Sequence, residues 1–238
     1  MNILPVDPAL PTLKPGETRT TSIVVPGDGK TRIIVLSTTW KPYCLTWPAW
    51  RQRYHQHWQS REIVGDLFVR GGTWPVTIFA AEDRAQPWGD FVAEALAQVA
   101  EPVVLVFCDD MVLTADVDLA ELHRCRQEMD DEKADYFRVV PTPECGKPFA
   151  HGRSGEHGDG PYAFSLYPAF HRREYLIAHA RGVPTPWDFE VSPHHAPIGK
   201  HLAVTRSNRP LSICELLKRG TWTLDGYRVM KEGGWPTA

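Results

Sequence analysis

The run Val103-Val104-Leu105-Val106-Phe107 places five apolar residues in succession and ends at Cys108-Asp109-Asp110. An unbroken apolar run of this length suits a strand buried on both faces of a sheet. In open α/β sheets, ligands collect beyond the carboxyl ends of the strands. Two adjacent carboxylates at that place can hold a hard divalent cation, and the cation can hold a phosphate. The plainer alternative is a strand end followed by a solvated acidic turn.

The flanking segments supply the rest of an α/β pattern. Arg32 to Ser37 reads as a first buried strand, and Pro75 to Ala80 as a second. Trp47 to Gln59 reads as a helix with Pro48 in its first turn. Trp88, Phe91, Val92, Ala95, Leu96 and Val99 recur at three-and-four spacing, which predicts a helix over about Pro87–Ala100. Asp116 is placed to cap a further helix whose buried stripe is Leu119, Leu122, Cys125 and Met129. Strands are expected at Tyr136–Val140 and Tyr162–Tyr167, and a helix at His171–Arg181. Strand, helix, strand, acid pair, helix is the order of a nucleotide-binding domain. The expected fold class is therefore α/β, with a mixed, mostly parallel central sheet flanked by helices.

Residues 1–31 carry five prolines and little periodicity, so they read as an extended arm, with a short edge strand at Thr20–Val25. Residues 32–238 read as one domain, with a first half to about 140 and a second from about 141. Residues 141–161 are glycine-rich and long enough to serve as a flap over a ligand. The segment from Gly199 onward is basic.

Composition narrows the classes. The net charge is −3, so the chain as a whole is no electrostatic nucleic-acid binder. The five cysteines are widely spaced without a C-x-x-C pair, which argues against a disulfide framework and a zinc ribbon. No apolar run is long enough to span a bilayer. Met1 to Pro15 lacks the basic start and apolar core of a secretory signal, so a cytoplasmic protein is expected. The P-loop pattern, the G-x-G-x-x-G fingerprint and the G-x-S-x-G elbow are all missing from the sequence. That leaves a metal to neutralise a diphosphate.

Several segments occur in a telling order: Pro87-Trp88-Gly89-Asp90 before the amphipathic helix, the strand ending in Asp109-Asp110, Ala134 to Arg138, Tyr162 through Arg172-Arg173-Glu174-Tyr175-Leu176, and Pro186-Trp187-Asp188-Phe189-Glu190. This set resembles bacterial and phage glycosyltransferases of the GT-A (Rossmann-like) fold over roughly residues 32–191. The resemblance implies a metal-dependent enzyme, moving a sugar from a nucleotide-sugar to an acceptor hydroxyl. By that resemblance Asp109 and Asp110 meet the nucleotide ribose and a Mn²⁺ or Mg²⁺ ion, with Asp110 in direct contact. Ser37, Thr38 and Tyr43 match the loop around the nucleotide base, with a UDP-sugar the first donor to test. Trp187, Tyr162 and Arg172 match the substrate pocket, and Glu190 or Asp188 the catalytic base. His194, His195 and His201 are candidates for a further metal ligand, His194 foremost. Adjacent acids depart from the family's usual spaced pair, which leaves open which of the two binds metal.

The implied acceptor is a saccharide or, in a phage-encoded enzyme working in the host cytoplasm, a 5-hydroxymethylcytosine-type base in DNA. In the latter case Lys218 and Arg219 would meet phosphates and the base would be flipped towards Trp187. Two other classes fit less of the pattern. A nucleotidyltransferase or phosphotransferase would need basic groups near the first strand's loop, where only Lys41 stands. A non-catalytic carbohydrate- or nucleic-acid-binding module would leave the acid-tipped strand without a task.

Overall fold

The computed structural model describes residues 31–36, 46–58, 76–79, 87–142, 145–157, 162–191, 199–218 and 220–237. The chain opens with β1 (Thr31–Leu36), α1 (Trp47–Trp58), β2 (Val76–Phe79) and α2 (Trp88–Ala97). Then come β3 (Val103–Cys108), β4 (Met111–Leu113), α3 (Leu119–Asp131), β5 (Tyr136–Arg138), β6 (Lys147–Pro148) and β7 (Ser154–Glu156). They are followed by β8 (Ala169–Arg172), α4 (Arg173–Ala180), α5 (Pro186–Val191) and β9 (His201–Val204). The described chain closes with β10 (Ile213–Glu215), β11 (Leu217–Lys218), β12 (Thr221–Trp222) and α6 (Leu224–Glu232).

The apolar run is the interior strand that its sequence demands. Every residue of β3 is buried. Val103, Leu105 and Phe107 enter one core, with Trp50, Tyr54 and Trp58 of α1 and Leu122, Cys125 and Met129 of α3. Val104, Val106 and Cys108 enter the other, with Val92 and Leu96 of α2, Leu176 of α4 and Phe189 of α5. Two apolar layers, one on each face, leave no position in β3 for a polar residue, and alternation is accordingly absent. On α1, Trp50, Tyr54 and Trp58 stack one turn apart with ring centroids 5.0 and 5.1 Å apart. Trp50 and Trp58 both meet Phe107 edge-on.

The fold is mixed α/β. One sheet runs β2-β1-β3-β8-β5-β9-β7-β6. The expectation of a mostly parallel sheet needs correcting: three of its seven pairings are parallel and four antiparallel. Two strands run against their neighbours: β8, antiparallel between β3 and β5, and β7, antiparallel between β9 and β6. The two expected halves consequently interleave, since β8 from the second sits between two strands of the first.

Two local expectations also change, and two further segments take a place in the sheets. The strand expected at Tyr162–Tyr167 is irregular backbone, and the strand is Ala169–Arg172 instead. The side chain of Asp118, not Asp116, caps α3 by accepting from Glu121 N–H at 2.9 Å; Asp116 instead meets His57 Nδ1 at 3.0 Å. The glycine-rich stretch contains the hairpin β6–β7, which extends the sheet through β9. The basic segment past Gly199 contributes β9 to the sheet, pairs β10 with β4, and ends in α6. The N-terminal arm, with its expected edge strand, lies outside the described residues. Among the described residues, no helix is long and apolar enough to cross a membrane.

Two packing features yield tests. Gly89, in the first turn of α2, lies against α4 so closely that an added Cβ would come within 1.6 Å of the Ala180 carbonyl oxygen. The N–H of Gly89 also donates to Val183 O at 2.9 Å. Gly89→Ala is expected to lower unfolding stability by about 1–3 kcal/mol in urea melts, since the backbones must separate.

His171 of β8 is fully buried, flanked by Tyr136 and Phe164 at 4.9 and 5.3 Å between ring centroids, and among the described residues neither ring nitrogen finds a hydrogen-bond partner. Burial first, then the neighbouring His201 and His179, pushes its imidazole down to about 3. The folded state holds it neutral while the unfolded chain protonates near 6.5. Its contribution to stability is therefore full above pH ~6.5 and falls as the pH drops towards 3. His171→Phe is expected to lose less stability than the parent between pH 7 and pH 5, by about 1–2 kcal/mol in denaturant titrations.

Candidate functional site

The site forms where β3 ends. Thr46, just before α1, donates its hydroxyl to the Asp109 carbonyl at 2.7 Å. Leu216, just past β10, donates its N–H to the Asp110 carbonyl, also at 2.7 Å. The acid pair is thus clamped between the start of the first helix and the C-terminal segment. The pairing of β10 with β4 sets Glu215 opposite Met111, beside the turn that carries Asp110. On the other side, Glu190 of α5 reaches back to Leu166, whose N–H donates to Oε1 at 2.8 Å.

These groups feel one another's charge. Asp110 is 6% exposed, and among the described residues its Oδ1 has no hydrogen-bond partner. Burial raises its carboxyl well above the usual range, and Asp109, Glu215 and Glu190 push it further. Burial also raises Glu190, with Glu215 adding to the rise while the Leu166 N–H and the Arg138 guanidinium oppose it. Glu215 is raised by burial as well, opposed by Lys218 and by its hydrogen bond with Tyr167. The Cys108 thiol lies among all four acids: after burial, Asp110, Asp109, Glu190 and Glu215 each push it up. It stays a thiol and is no candidate nucleophile.

The result is a set of acids that raise one another at the tip of the central strand, with a buried oxygen left unsatisfied among the described residues. Leaving such a group without a partner is costly. A divalent cation fits the donor set. Hard cations take carboxylate oxygens, and Mg²⁺-like ions are commonly held by one or two carboxylates plus waters and substrate phosphates. Among the described residues, no three His, Cys, Asp or Glu side chains are grouped so that they could hold a metal ion.

The residues singled out from the sequence separate into three groups. Asp109, Asp110 and Glu190 come together at the strand tip. Trp187 and Tyr162 are each 44% exposed; Trp187 lies on α5 with Glu190, and the Tyr162 N–H donates to the Glu190 carbonyl at 2.8 Å. Asp188 turns to its own helix start, where Oδ2 accepts from the Thr185 hydroxyl at 2.6 Å. That leaves Glu190 as the acid facing the cluster.

Arg172 and His201 do not join them. Arg172 pairs in register with Val103, five residues before Cys108, so it sits about 17 Å along the sheet from the acid tip. It bridges Asp130 at 2.6 Å and donates to Ala134 O. The expected contact of Arg172 with substrate is thus corrected by strand direction. His201 pairs with Tyr136, which pairs with His171 and so aligns with Val104; its Nε2 meets the Tyr175 hydroxyl at 2.7 Å. A metal-ligand role for His201 at the strand tip does not fit this place. Ser37, Thr38, Tyr43, His194, His195 and Arg219 lie outside the described residues.

Three residues escaped the sequence reading. Glu215 comes from a strand of three half-buried residues with no apolar pattern. Tyr167 is hydrogen-bonded to Glu215, and burial, then Glu215, Glu190 and Asp110, raise its phenol to about 12. Arg138 is fully buried at the end of β5. In each case the only advance signal was a polar residue inside an otherwise apolar or irregular stretch.

No protein-family model matches the chain. No curated protein matches it either. Among solved structures, HddC from Yersinia pseudotuberculosis aligns with a TM-score of 0.46 at 10% identity, over 85% of this chain and 99% of that one. A197 from STIV aligns with a TM-score of 0.40 at 13% identity, over 79% of this chain and 86% of that one. The bifunctional IspDF from Campylobacter jejuni gives 0.38 at 13% identity, over 85% of this chain and 54% of that one. Likeness at this level assigns neither a family nor a reaction, and the chemistry must be read from the strand tip itself.

Proposed function

We propose that the protein is a glycosyltransferase that takes its sugar from a nucleotide-sugar and depends on a divalent cation held at the tip of β3. The observation that carries this reading is the buried, unpartnered Oδ1 of Asp110, set among Glu190, Glu215 and Asp109. The GT-A resemblance implies that Asp110 holds the ion with Asp109 towards the ribose, and Glu215, which acts on the Asp110 charge, would join Asp110 there. A bound Mn²⁺ or Mg²⁺ supplies positive charge for the diphosphate leaving group.

The chain's own residues do the remaining work. Glu190 accepts the proton of the attacking acceptor hydroxyl. Its carboxyl is raised by burial, which brings its basicity nearer to neutral and suits general-base work. Leu166 N–H fixes one carboxylate oxygen, so the group is oriented before substrate arrives. Trp187 and Tyr162 offer half-exposed rings on which the apolar face of a saccharide can stack. With Asp188 and Glu190 beside these rings, a neutral saccharide is favoured over a polyanionic DNA acceptor.

A donor screen tests the reading. The protein is incubated with Mn²⁺ and UDP-, GDP-, CMP- and TDP-sugars, and both melting temperature and sugar release are recorded. Metal-dependent stabilisation and turnover with one nucleotide-sugar is the expected result. A response to nucleoside triphosphates alone would mean nucleotidyl transfer instead. Transfer to hydroxymethylated DNA that collapses with salt would move the acceptor to nucleic acid. Indifference to metal and to every nucleotide would sink the proposal.

A further inference from the structure

Arg138 closes β5, and β5 runs parallel to β3 with β8 antiparallel between them. The register Val106↔Ala169↔Arg138 brings it to the same end of the sheet as the acid tip. Its side chain is fully buried. Burying a guanidinium costs several kcal/mol unless its donors are used well, so its contacts define what it does.

Two of those contacts fall on Tyr162 and His157. Nη1 donates to the Tyr162 carbonyl at 3.1 Å, and Nη2 lies 2.7 Å from His157 Nε2. Burial and then the Arg138 charge push the His157 imidazole down to about 4, so it is neutral and can accept at Nε2. Tyr162 has φ of +65°, a left-handed conformation that a bulky side chain rarely adopts and that surrounding structure must enforce. Two bonds enforce it: the Arg138 bond to its carbonyl, and its own N–H to the Glu190 carbonyl at 2.8 Å. Glu190 is held in turn by Leu166 N–H.

We propose that Arg138 is a positioning residue that locks Tyr162 in its left-handed conformation and so ties the exposed Tyr162 ring and the Glu190-bearing end of α5 into one rigid unit at the mouth of the site. The functional consequence rests on Glu190 being the base of the proposed transfer. The geometry itself does not, and the two can fail separately. A buried arginine that merely filled the core would stabilise the sheet without holding one backbone carbonyl twenty-four residues away.

Amide hydrogen exchange by NMR on the full chain tests the lock without any donor or metal. In Arg138→Met, exchange at the Tyr162 amide is expected to rise at least about tenfold, while the Val104 and Val106 amides of β3 keep their protection. Arg138→Lys, which retains a donor, should recover part of the loss. Unchanged Tyr162 exchange in a folded Arg138→Met overturns the proposal, as does a uniform rise across β3 and Tyr162 alike. Should Arg138→Met fail to fold, the unaltered protein decides. Separate, slowly exchanging Nη protons for Arg138 are expected, and a single averaged guanidinium signal would refute the lock. Loss of the donor-screen response with an intact lock would count against glycosyl transfer alone.

Discussion

Asp110→Asn is expected to reduce transfer at least about 100-fold and, in metal-free buffer at pH 7, to raise the melting temperature. The two effects share a cause. In the parent, Asp110 is buried with Oδ1 unpartnered and is crowded by Asp109, Glu215 and Glu190. Its folded carboxyl titrates well above the unfolded value, so the unfolded chain gives up this proton first. The sign then follows: stability is undiminished below about pH 3.8 and declines as the pH rises through the folded pKa. At pH 7 the metal-free site therefore carries the cost of a buried carboxyl crowded by other acids, whether that cost is met as repulsion or as a retained proton. A neutral amide of the same shape relieves about 1–2 kcal/mol of that cost, or roughly 2–8 °C in a domain of this size. It also removes the ligand on which the cation depends. Differential scanning calorimetry with and without Mn²⁺ separates the contributions. The parent should gain stability on adding metal, and the variant should start higher and gain little. A variant that melts lower than the parent without metal, or still gains from Mn²⁺ like the parent, would show that Asp110 is no cation ligand. Glu215→Gln should behave in the same direction with a smaller rise, because Glu215 is only half-buried and already has Tyr167 and Lys218 to offset its charge.

What the sequence disclosed about this arrangement depended on whether the cause was local. The β3 run could be read because burial on two faces leaves no room for alternation. The helices α2 and α3 were legible from apolar spacing, although the cap of α3 shifted from Asp116 to Asp118 once His57 claimed Asp116. Strand direction has no such local signature. Nothing in Ala169-Phe170-His171-Arg172 announces that β8 runs against its neighbours, and that reversal alone carries Arg172 to the far end of the sheet from the acid tip. The alternation at Tyr162–Tyr167 imitates a strand for a different reason. Its backbone groups are taken by the site: Leu166 N–H by the Glu190 carboxylate, Ser165 O by the Tyr136 hydroxyl, and Tyr162 O by Arg138. A segment that gives its hydrogen bonds to side chains has none left for a ladder. Glu215 and Arg138 were invisible for a related reason, since each reaches the site through topology, from strands of three residues too short for any period to emerge.

Glu190→Gln carries the second large expected effect, a fall in kcat of about 10²–10⁴-fold with little change in KM, as the loss of a positioned general base predicts. Glutamine keeps an oxygen to accept from Leu166 N–H, so α5 should stay in place and the loss should be chemical rather than structural. The pH profile gives the stronger test. Glu190 acts as a base only when ionised, and burial together with Glu215 lifts its carboxyl above the ordinary 4.5, partly offset by Leu166 N–H and Arg138. The acidic limb of kcat/KM in the parent is therefore expected above the usual glutamate range. It should move upward in Arg138→Met, where the opposing positive charge is gone, and downward in Glu215→Gln, where a repelling negative charge is gone. Opposite displacement of one limb by two neighbours, each on a different strand, is the signature of a titrating group between them. Asp188→Asn supplies the contrast: asparagine keeps an oxygen to accept from the Thr185 hydroxyl at the start of α5, so the helix should hold and the rate loss should fall well short of that at Glu190. Should Asp188→Asn prove the more damaging, or the limb stay fixed in both neighbouring variants, the proton would have to leave by another residue, and the assignment of Glu190 would fail even if Asp110 still bound its cation.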